Sequence, residues 1–288
     1  MRLALGTVQF GLPYGIANQT GQVSLIAADE MLQMARQSRI DTLDTAIAYG
    51  ESESCLGQTG TDGFHVVTKL PALPDDCSDV RAWVRCQLNA SMSRLGVASL
   101  YGLLLHRSDQ LLSADGRTLY NVMQELKAEG LVHKTGISIY SPRELDDLAS
   151  GFVFDLVQAP FNLIDRRLYA SGWLRRLKDS GTEIHTRSAF LQGLLLMPEG
   201  VRPAKFSPWS ALWQRWDRWL AGSAVSPLQA CLDFALSFPE IDRVVVGADS
   251  PRHLQEIIDA SGCGDPGGLP DLGCDDERLV NPSKWVDL

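Results

Sequence analysis

Asp41-Thr42-Leu43-Asp44-Thr45-Ala46-Ile47-Ala48-Tyr49-Gly50 reads as a short apolar strand that ends on the Asp44 carboxylate and is followed in the next loop by Tyr49. An acid at the C-terminal end of a strand with a tyrosine just beyond it is how a site is laid out in a barrel of alternating strands and helices. The flanking chain alternates in the same way. Arg2 to Val8 opens as a strand, and Ser24 is placed to cap an amphipathic helix carrying Ile26, Met31, Leu32 and Met34. After a turn of helix from Glu51 to Leu56, His65 to Leu70 is the next strand, closed by Pro71 and Pro74.

A long helix from Ser78 to Leu95 leads into Leu100-Tyr101-Gly102-Leu103-Leu104-Leu105-His106. Such a nearly unbroken apolar run is what a parallel strand covered on both faces requires. The alternation continues with a helix near Thr118 to Glu129, a strand at Lys134 to Ile139, a short helix after Pro142 and a strand at Leu156 to Phe161. A helix at Arg166 to Asp179 and strands at Glu183 to Phe190 and Arg243 to Gly247 complete the set. The fold class is therefore α/β, a single (β/α)₈ TIM barrel, since a doubly wound sheet uses roughly five to seven strands and splits the chain.

At 288 residues with 45% hydrophobic content the chain can bury one large core, so residues 1–288 are expected to form one domain with 260–288 as an irregular C-terminal tail. The Asp, Gly and Pro cluster from Gly262 to Asp271 reads as surface tail, and the G-x-G-x-x-G pattern at Gly262 to Gly267 reads as coincidence because it follows a helix. An extra helix after the seventh strand carries Trp209, Trp213, Trp216 and Trp219 on one face, with Arg215 and Arg218 turned toward the other. Packing against the barrel is the expected role, and a wall for an aromatic substrate is the alternative.

The formal net charge is −9, with Lys and Arg scattered, which argues against nucleic acid or an anionic membrane as partner and for a small molecule. The six cysteines form no C-x-x-C pair, which with the absence of a secretory-type start points to a reducing cytoplasm. No run of apolar residues approaches the ~20 needed to span a bilayer. No His, Cys or acidic cluster has metal-ligand spacing, so no metal is expected.

Asp44, Lys69 and His106 each stand at the C-terminal end of a consecutive strand, with Tyr49 in the loop after the first. A tyrosine with a pKa of about 10 is a poor acid at neutral pH, and a nearby ammonium favours its phenolate. Lys69 is expected to supply that charge, Asp44 to hold Lys69 protonated, and His106 to position a carbonyl oxygen. An acid of this kind suits carbonyl reduction, provided a bound reductant is held in attack geometry.

These residues resemble the aldo-keto reductase superfamily from Gly6 to about Glu256. The family's Asp-Thr-Ala-x-x-Tyr-Gly stands here as Asp44 to Gly50, its lysine matches Lys69 in Val67-Thr68-Lys69-Leu70, and its histidine matches His106 in Leu104-Leu105-His106. The resemblance implies a (β/α)₈ barrel in which NADPH, with NADH as the alternative, delivers hydride to an aldehyde or ketone while Tyr49 donates the proton. It also implies cofactor contacts from Gly6, Thr7, Ser138, Gln158, Arg187, Ser188, Gly247, Ser250 and Arg252.

Ser138 lies in Gly136-Ile137-Ser138-Ile139-Tyr140, similar to the family's Gly-Val-Ser-Asn-Phe, and Ile139 stands where an asparagine would hold the nicotinamide amide. Gln158 is the other candidate for that amide. Arg187 takes the place of an aromatic residue that stacks on nicotinamide, and a cation there implies weaker binding of the oxidised than of the reduced cofactor. Val244 to Leu254 is similar to the turn that grips the adenosine phosphate, but Gly247, His253 and Ile257 replace the usual Lys, Arg and Asn, and Asp249 adds a negative charge. Two other functions stay open: a Schiff-base lyase using Lys69, which a carboxylate partner disfavours, and a nucleotide-binding regulatory subunit with little turnover.

Overall fold

Leu3–Gly6 (β1) pairs in parallel with Thr42–Asp44 (β2) on one side and Arg243–Gly247 (β8) on the other, and this double pairing closes the sheet. Between them His65–Leu70 (β3), Leu100–Leu105 (β4), Val132–Ser138 (β5), Leu156–Pro160 (β6) and Glu183–Arg187 (β7) follow in sequence order, all parallel. The chain thus forms the expected (β/α)₈ barrel in this computed structural model, which describes residues 1–262 and 268–287. Residues 263–267 of the pattern that begins at Gly262 lie outside the described residues. Every residue of β1, β2 and β6 is buried, as strands facing side chains inside and helices outside must be.

Local chemistry moves several boundaries. The helix expected from Ser78 begins at Val80, because the Asp79 side chain accepts from the Ala82 amide and caps it. The helix expected over Arg166 to Asp179 is broken into Arg167–Ala170 and Trp173–Asp179 by Gly172 at φ +78°. Strand β7 stops at Arg187 and does not reach Phe190, because Ser188 at φ +64° turns the chain out of the sheet. The helix Pro227–Leu236 was not anticipated, although Ser226 capping the Gln229 amide with Pro227 in the first turn is a legible start signal.

Buried Glu53 fixes the segment after Tyr49 to the barrel. Its carboxylate accepts from Thr68 and Ser91 at 2.7 Å each and from Arg94 Nη2 at 2.6 Å, tying the helix Ser52–Thr59 to β3 and to the helix Val80–Leu95. Thr68 precedes Lys69, so this bond set also holds the strand end that carries the lysine.

The tryptophan helix is Ser210–Gly222, so Trp209, expected on its face, stands just before its first turn, and the four indoles hydrogen-bond within the fold. Trp213 donates to Phe206 O, Trp216 to Leu195 O, Trp219 to Gly268 O and Trp209 to the Asp276 carboxylate. Two of those partners lie beyond residue 260, where Leu272, Leu279, Val280 and Trp285 are buried. The described part of the C-terminal segment, from Gly268 on, is therefore packed against the tryptophan face, and it contains the helix Glu277–Val280. Among the described residues no helix is long and apolar enough to cross a membrane.

Candidate active site

Lys69 is fully buried at the end of β3, and its ammonium has three donors to place. It lies 2.8 Å from Asp44 Oδ1, 2.8 Å from Asp44 Oδ2 and 2.8 Å from the Thr45 carbonyl. Burial holds the Lys69 pKa below its ordinary range, and the Asp44 carboxylate offsets part of that fall. With every ammonium hydrogen facing an oxygen, two of them on a carboxylate, the proton stays on the nitrogen. Gln158 Nε2 donates to Asp44 Oδ1 at 2.6 Å, and Ser138 Oγ to Gln158 Oε1 at 3.4 Å.

Backbone geometry carries Tyr49 to this pair. Beyond Asp44 the chain keeps running along β3, with the Thr45 amide on Val67 O and the Ile47 amide on Lys69 O. It then turns back through a bond from the Tyr49 amide to Ala46 O. Gly11 packs so close to the Tyr49 carbonyl that a Cβ there would overlap it. Thr7 and Ser52 clamp the base of the turn: Thr7 Oγ1 donates to Asp44 O at 3.0 Å and Ser52 Oγ to Thr7 O at 2.8 Å.

The Tyr49 hydroxyl does not show the lowered pKa expected from Lys69. Burial, and then the Asp44 carboxylate, push its pKa above the usual range, and the Arg187 guanidinium is what pulls it down. Lys69 Nζ lies over the ring, 5.1 Å from its centroid, with its charge already balanced by Asp44 behind it. Tyr49 is therefore a firmly protonated phenol, able to donate and not poised to ionise by itself.

The His106 ring stands edge-on to Tyr49, with centroids 5.7 Å apart. Burial first, then the Lys69 and Arg187 cations, push its pKa down from 6.5 to about 4. The imidazole is neutral at physiological pH and offers an N–H without a charge. Between about pH 6.5 and about pH 4 the unfolded chain binds a proton that folded His106 refuses, so stability falls as pH drops through that window. In His106→Gln the loss in urea midpoint between about pH 7 and about pH 4.5 should be smaller than in the wild type. An equal loss in both would contradict this assignment.

These groups open on a cavity of about 610 Å³. It runs from Tyr49, His106, Tyr140 and Arg187 to Gly247, Asp249 and Glu256 beyond β8. The loop after β1 at Tyr14 and Asn18, the loop after β7 at Gln192, and tail residues Pro282 and Ser283 contribute walls. Tyr14 OH accepts from Gln192 Nε2 at 3.1 Å, joining two of those loops. Of the loop after β4, only His106 lines the cavity.

Of the anticipated cofactor residues, Gly6, Thr7, Arg187, Ser188 and Gly247 line the cavity. Ser138 and Gln158 lie behind its wall, engaged with each other and with Asp44. Ser250 caps the helix Pro251–Ala260 by accepting from the His253 amide, and Arg252 pairs with Glu256 on the exposed side of that helix. Arg187 donates to Ile139 O at 3.1 Å and packs over the Tyr140 ring at 4.7 Å. Gln9, which no motif singled out, is buried on the cavity wall with Oε1 unpartnered. Its place two residues past Thr7, just beyond a strand end, was the available signal. Among the described residues no group of three or more His, Cys, Asp or Glu could hold a metal ion.

Residues 2–262 match the family model described as Aldo/keto reductase family. The oxidoreductase sirO of Leptosphaeria maculans is 26% identical over 290 residues, covering 89% of this chain and 87% of that protein. An aldo-keto reductase structure from Bacillus halodurans superposes with a TM-score of 0.71 at 18% identity, covering 91% of this chain and 87% of its own. The glycerol dehydrogenase structure from Gluconobacter oxydans gives 0.71 at 21% identity, with 92% and 87% covered. At such identities the two structures bear on the fold alone.

Proposed function

The chain belongs to the aldo/keto reductase family, and from that premise we propose that it reduces an aldehyde or ketone to an alcohol with a nicotinamide dinucleotide, Tyr49 supplying the proton. The observation that carries the reading is the placement of Tyr49 on the cavity wall, backed by the Lys69–Asp44 pair and flanked by the His106 ring. A carbonyl oxygen set between the Tyr49 hydroxyl and the His106 N–H gains negative charge as reduction proceeds. That charge lowers the cost of moving the phenolic proton, and Lys69, over the ring, stabilises the phenolate left behind.

The long cavity and the unpartnered Gln9 acceptor suit a dinucleotide, for which Gly6, Thr7, Arg187, Ser188 and Gly247 supply walls. When bound, the reduced nicotinamide supplies the hydride. The free thiols at Cys55, Cys77, Cys86, Cys231 and Cys274 suit a reducing cytoplasm.

A panel of aldehydes and ketones tests the reading through oxidation of reduced nucleotide and formation of the matching alcohol. Nucleotide that binds but is never consumed would favour the regulatory-subunit alternative. Borohydride trapping of a substrate–Lys69 adduct would favour the lyase; the fully engaged Lys69 ammonium argues against it.

Arg187 bears on the cofactor's two redox states. Its guanidinium has no carboxylate partner among the described ion pairs, and it acts electrostatically on Tyr49, Lys69 and His106. Set against a nicotinamide ring it repels the cationic oxidised form. Arg187→Tyr is expected to tighten oxidised nucleotide severalfold relative to reduced in fluorescence titrations, and an unchanged ratio would exclude the contact.

A further inference from the structure

The end of the cavity farthest from Tyr49 has a chemistry of its own. A nicotinamide working beside Tyr49 leaves this end, beyond β8, for the adenosine half. Its walls carry Gln9, Asn18, Asp249, His253 and Glu256. The only Arg or Lys lining the cavity among the described residues is Arg187, at the opposite end.

What this end offers is acceptors. Gln9, only 8% exposed, is wedged against Gly247, where an added Cβ would lie 2.6 Å from its Nε2. Its amide hydrogen-bonds the Asp249 carboxylate, and its Oε1 has no partner. Asp249 forms no ion pair with Lys or Arg among the described residues, and burial pushes its pKa up from the carboxylate range. Asn18 Nδ2 reaches its Oδ1 only at 3.5 Å. Glu256 brings a second carboxylate, paired with Arg252 at 2.9 Å, whose own side chain is 85% exposed.

Unmet acceptors call for donors, and a ribose with both hydroxyls free has them. A phosphate on the 2′ oxygen reverses the match. It replaces a donor by acceptors and brings about −1.5 to −2 charges toward Asp249 in a partly desolvated cleft. The positive end of the helix Pro251–Ala260 does not compensate, since Asp249 stands just before its cap. The anticipated phosphate partners, Ser250 and Arg252, are engaged in capping and in the Glu256 ion pair.

We propose that this end, through Gln9 and Asp249 with the Glu256 carboxylate adding negative charge, recognises the free 2′,3′-diol of an adenosine ribose, so that the chain takes NADH and turns NADPH away. The selectivity anticipated from the sequence was the reverse. The proposal rests on the nicotinamide-dependent reading above, and its test separates the two.

Equilibrium titration by tryptophan fluorescence, with NADH and NADPH and with the fragments ADP and 2′,5′-ADP, measures it without turnover. The wild type is expected to bind NADH and ADP at least about tenfold more tightly than their 2′-phosphorylated counterparts. Asp249→Asn keeps an acceptor and removes the charge, and should narrow both ratios severalfold by tightening the phosphorylated ligand. Glu256→Gln should move them the same way, and retained NADH binding in either variant reports that it has folded. NADPH bound as tightly as NADH, or ratios that neither variant moves, would overturn the inference and leave the reductase reading standing. Binding of neither dinucleotide would overturn both.

Discussion

Tyr49→Phe is expected to lower kcat/KM for carbonyl reduction by about 10²- to 10⁴-fold while the fold and nucleotide affinity stay as they were. That is about 3 to 5 kcal/mol of transition-state stabilisation, at roughly 1.4 kcal/mol per tenfold. Phe keeps the ring that meets His106 at 5.7 Å and Lys69 at 5.1 Å, so the packing survives. What disappears is the proton donor. His106 does not replace it, because a neutral imidazole can polarise a carbonyl but gives up its N–H proton only with great difficulty. The raised pKa of Tyr49 adds a sign to the pH profile: the free enzyme keeps its acid protonated through neutral and mildly alkaline pH. A fall in kcat/KM with an inflection near pH 7, absent in Tyr49→Phe, would contradict that state.

Lys69→Met is expected to cost about 3 to 5 kcal/mol of stability as well as activity, because it strands a buried carboxylate. Asp44 is 4% exposed and would keep only the Gln158 amide at 2.6 Å as a side-chain partner in place of an ammonium on both oxygens. Urea midpoints read the loss. The double variant Lys69→Met with Asp44→Asn removes the uncompensated charge and should recover much of the stability without recovering turnover. Recovery of both would mean that Lys69 matters only as a structural partner. A single variant as stable as the wild type would mean that the pair is not the buried ion pair its geometry describes.

The barrel was legible because its signal is repeated. Runs such as Leu100 to Leu105 and Val244 to Val246 can only be strands covered on both faces, and the helices between them leave few alternatives. Asp44, Lys69 and His106 were legible for a related reason: charged or polar residues that end apolar strands are conspicuous in sequence and converge in space once the sheet closes. Direction was harder than proximity. Only the folded chain reveals that Lys69 lies over the face of the Tyr49 ring, or that Gln158 backs Asp44 from behind the cavity wall.

Residues whose roles depend on distant partners were not legible. Glu53 is one acid among many until Ser91 and Arg94 arrive from the next helix. The tryptophans spaced from Trp209 to Trp219 have an obvious face, yet Trp209 and Trp219 find their acceptors in the tail. The early end of β7 hangs on a positive φ at Ser188, a residue with no marked preference for that conformation. The acceptor-rich character of the far end needs Gln9 from just after β1 beside Asp249 from just after β8, a juxtaposition made only by barrel closure.

The most direct measurement supplies reduced nucleotide deuterated at the transferable position of the nicotinamide ring, in either stereochemistry, together with an aldehyde that the protein consumes. The alcohol product is then analysed by mass spectrometry and NMR, for the wild type and for Tyr49→Phe. Deuterium on the carbinol carbon from one of the two labelled faces, formed by the wild type and at least about a hundredfold more slowly by Tyr49→Phe, is the expected result. An alcohol without deuterium from either face, or labelled alcohol formed equally fast by both proteins, would contradict hydride transfer with Tyr49 as the acid.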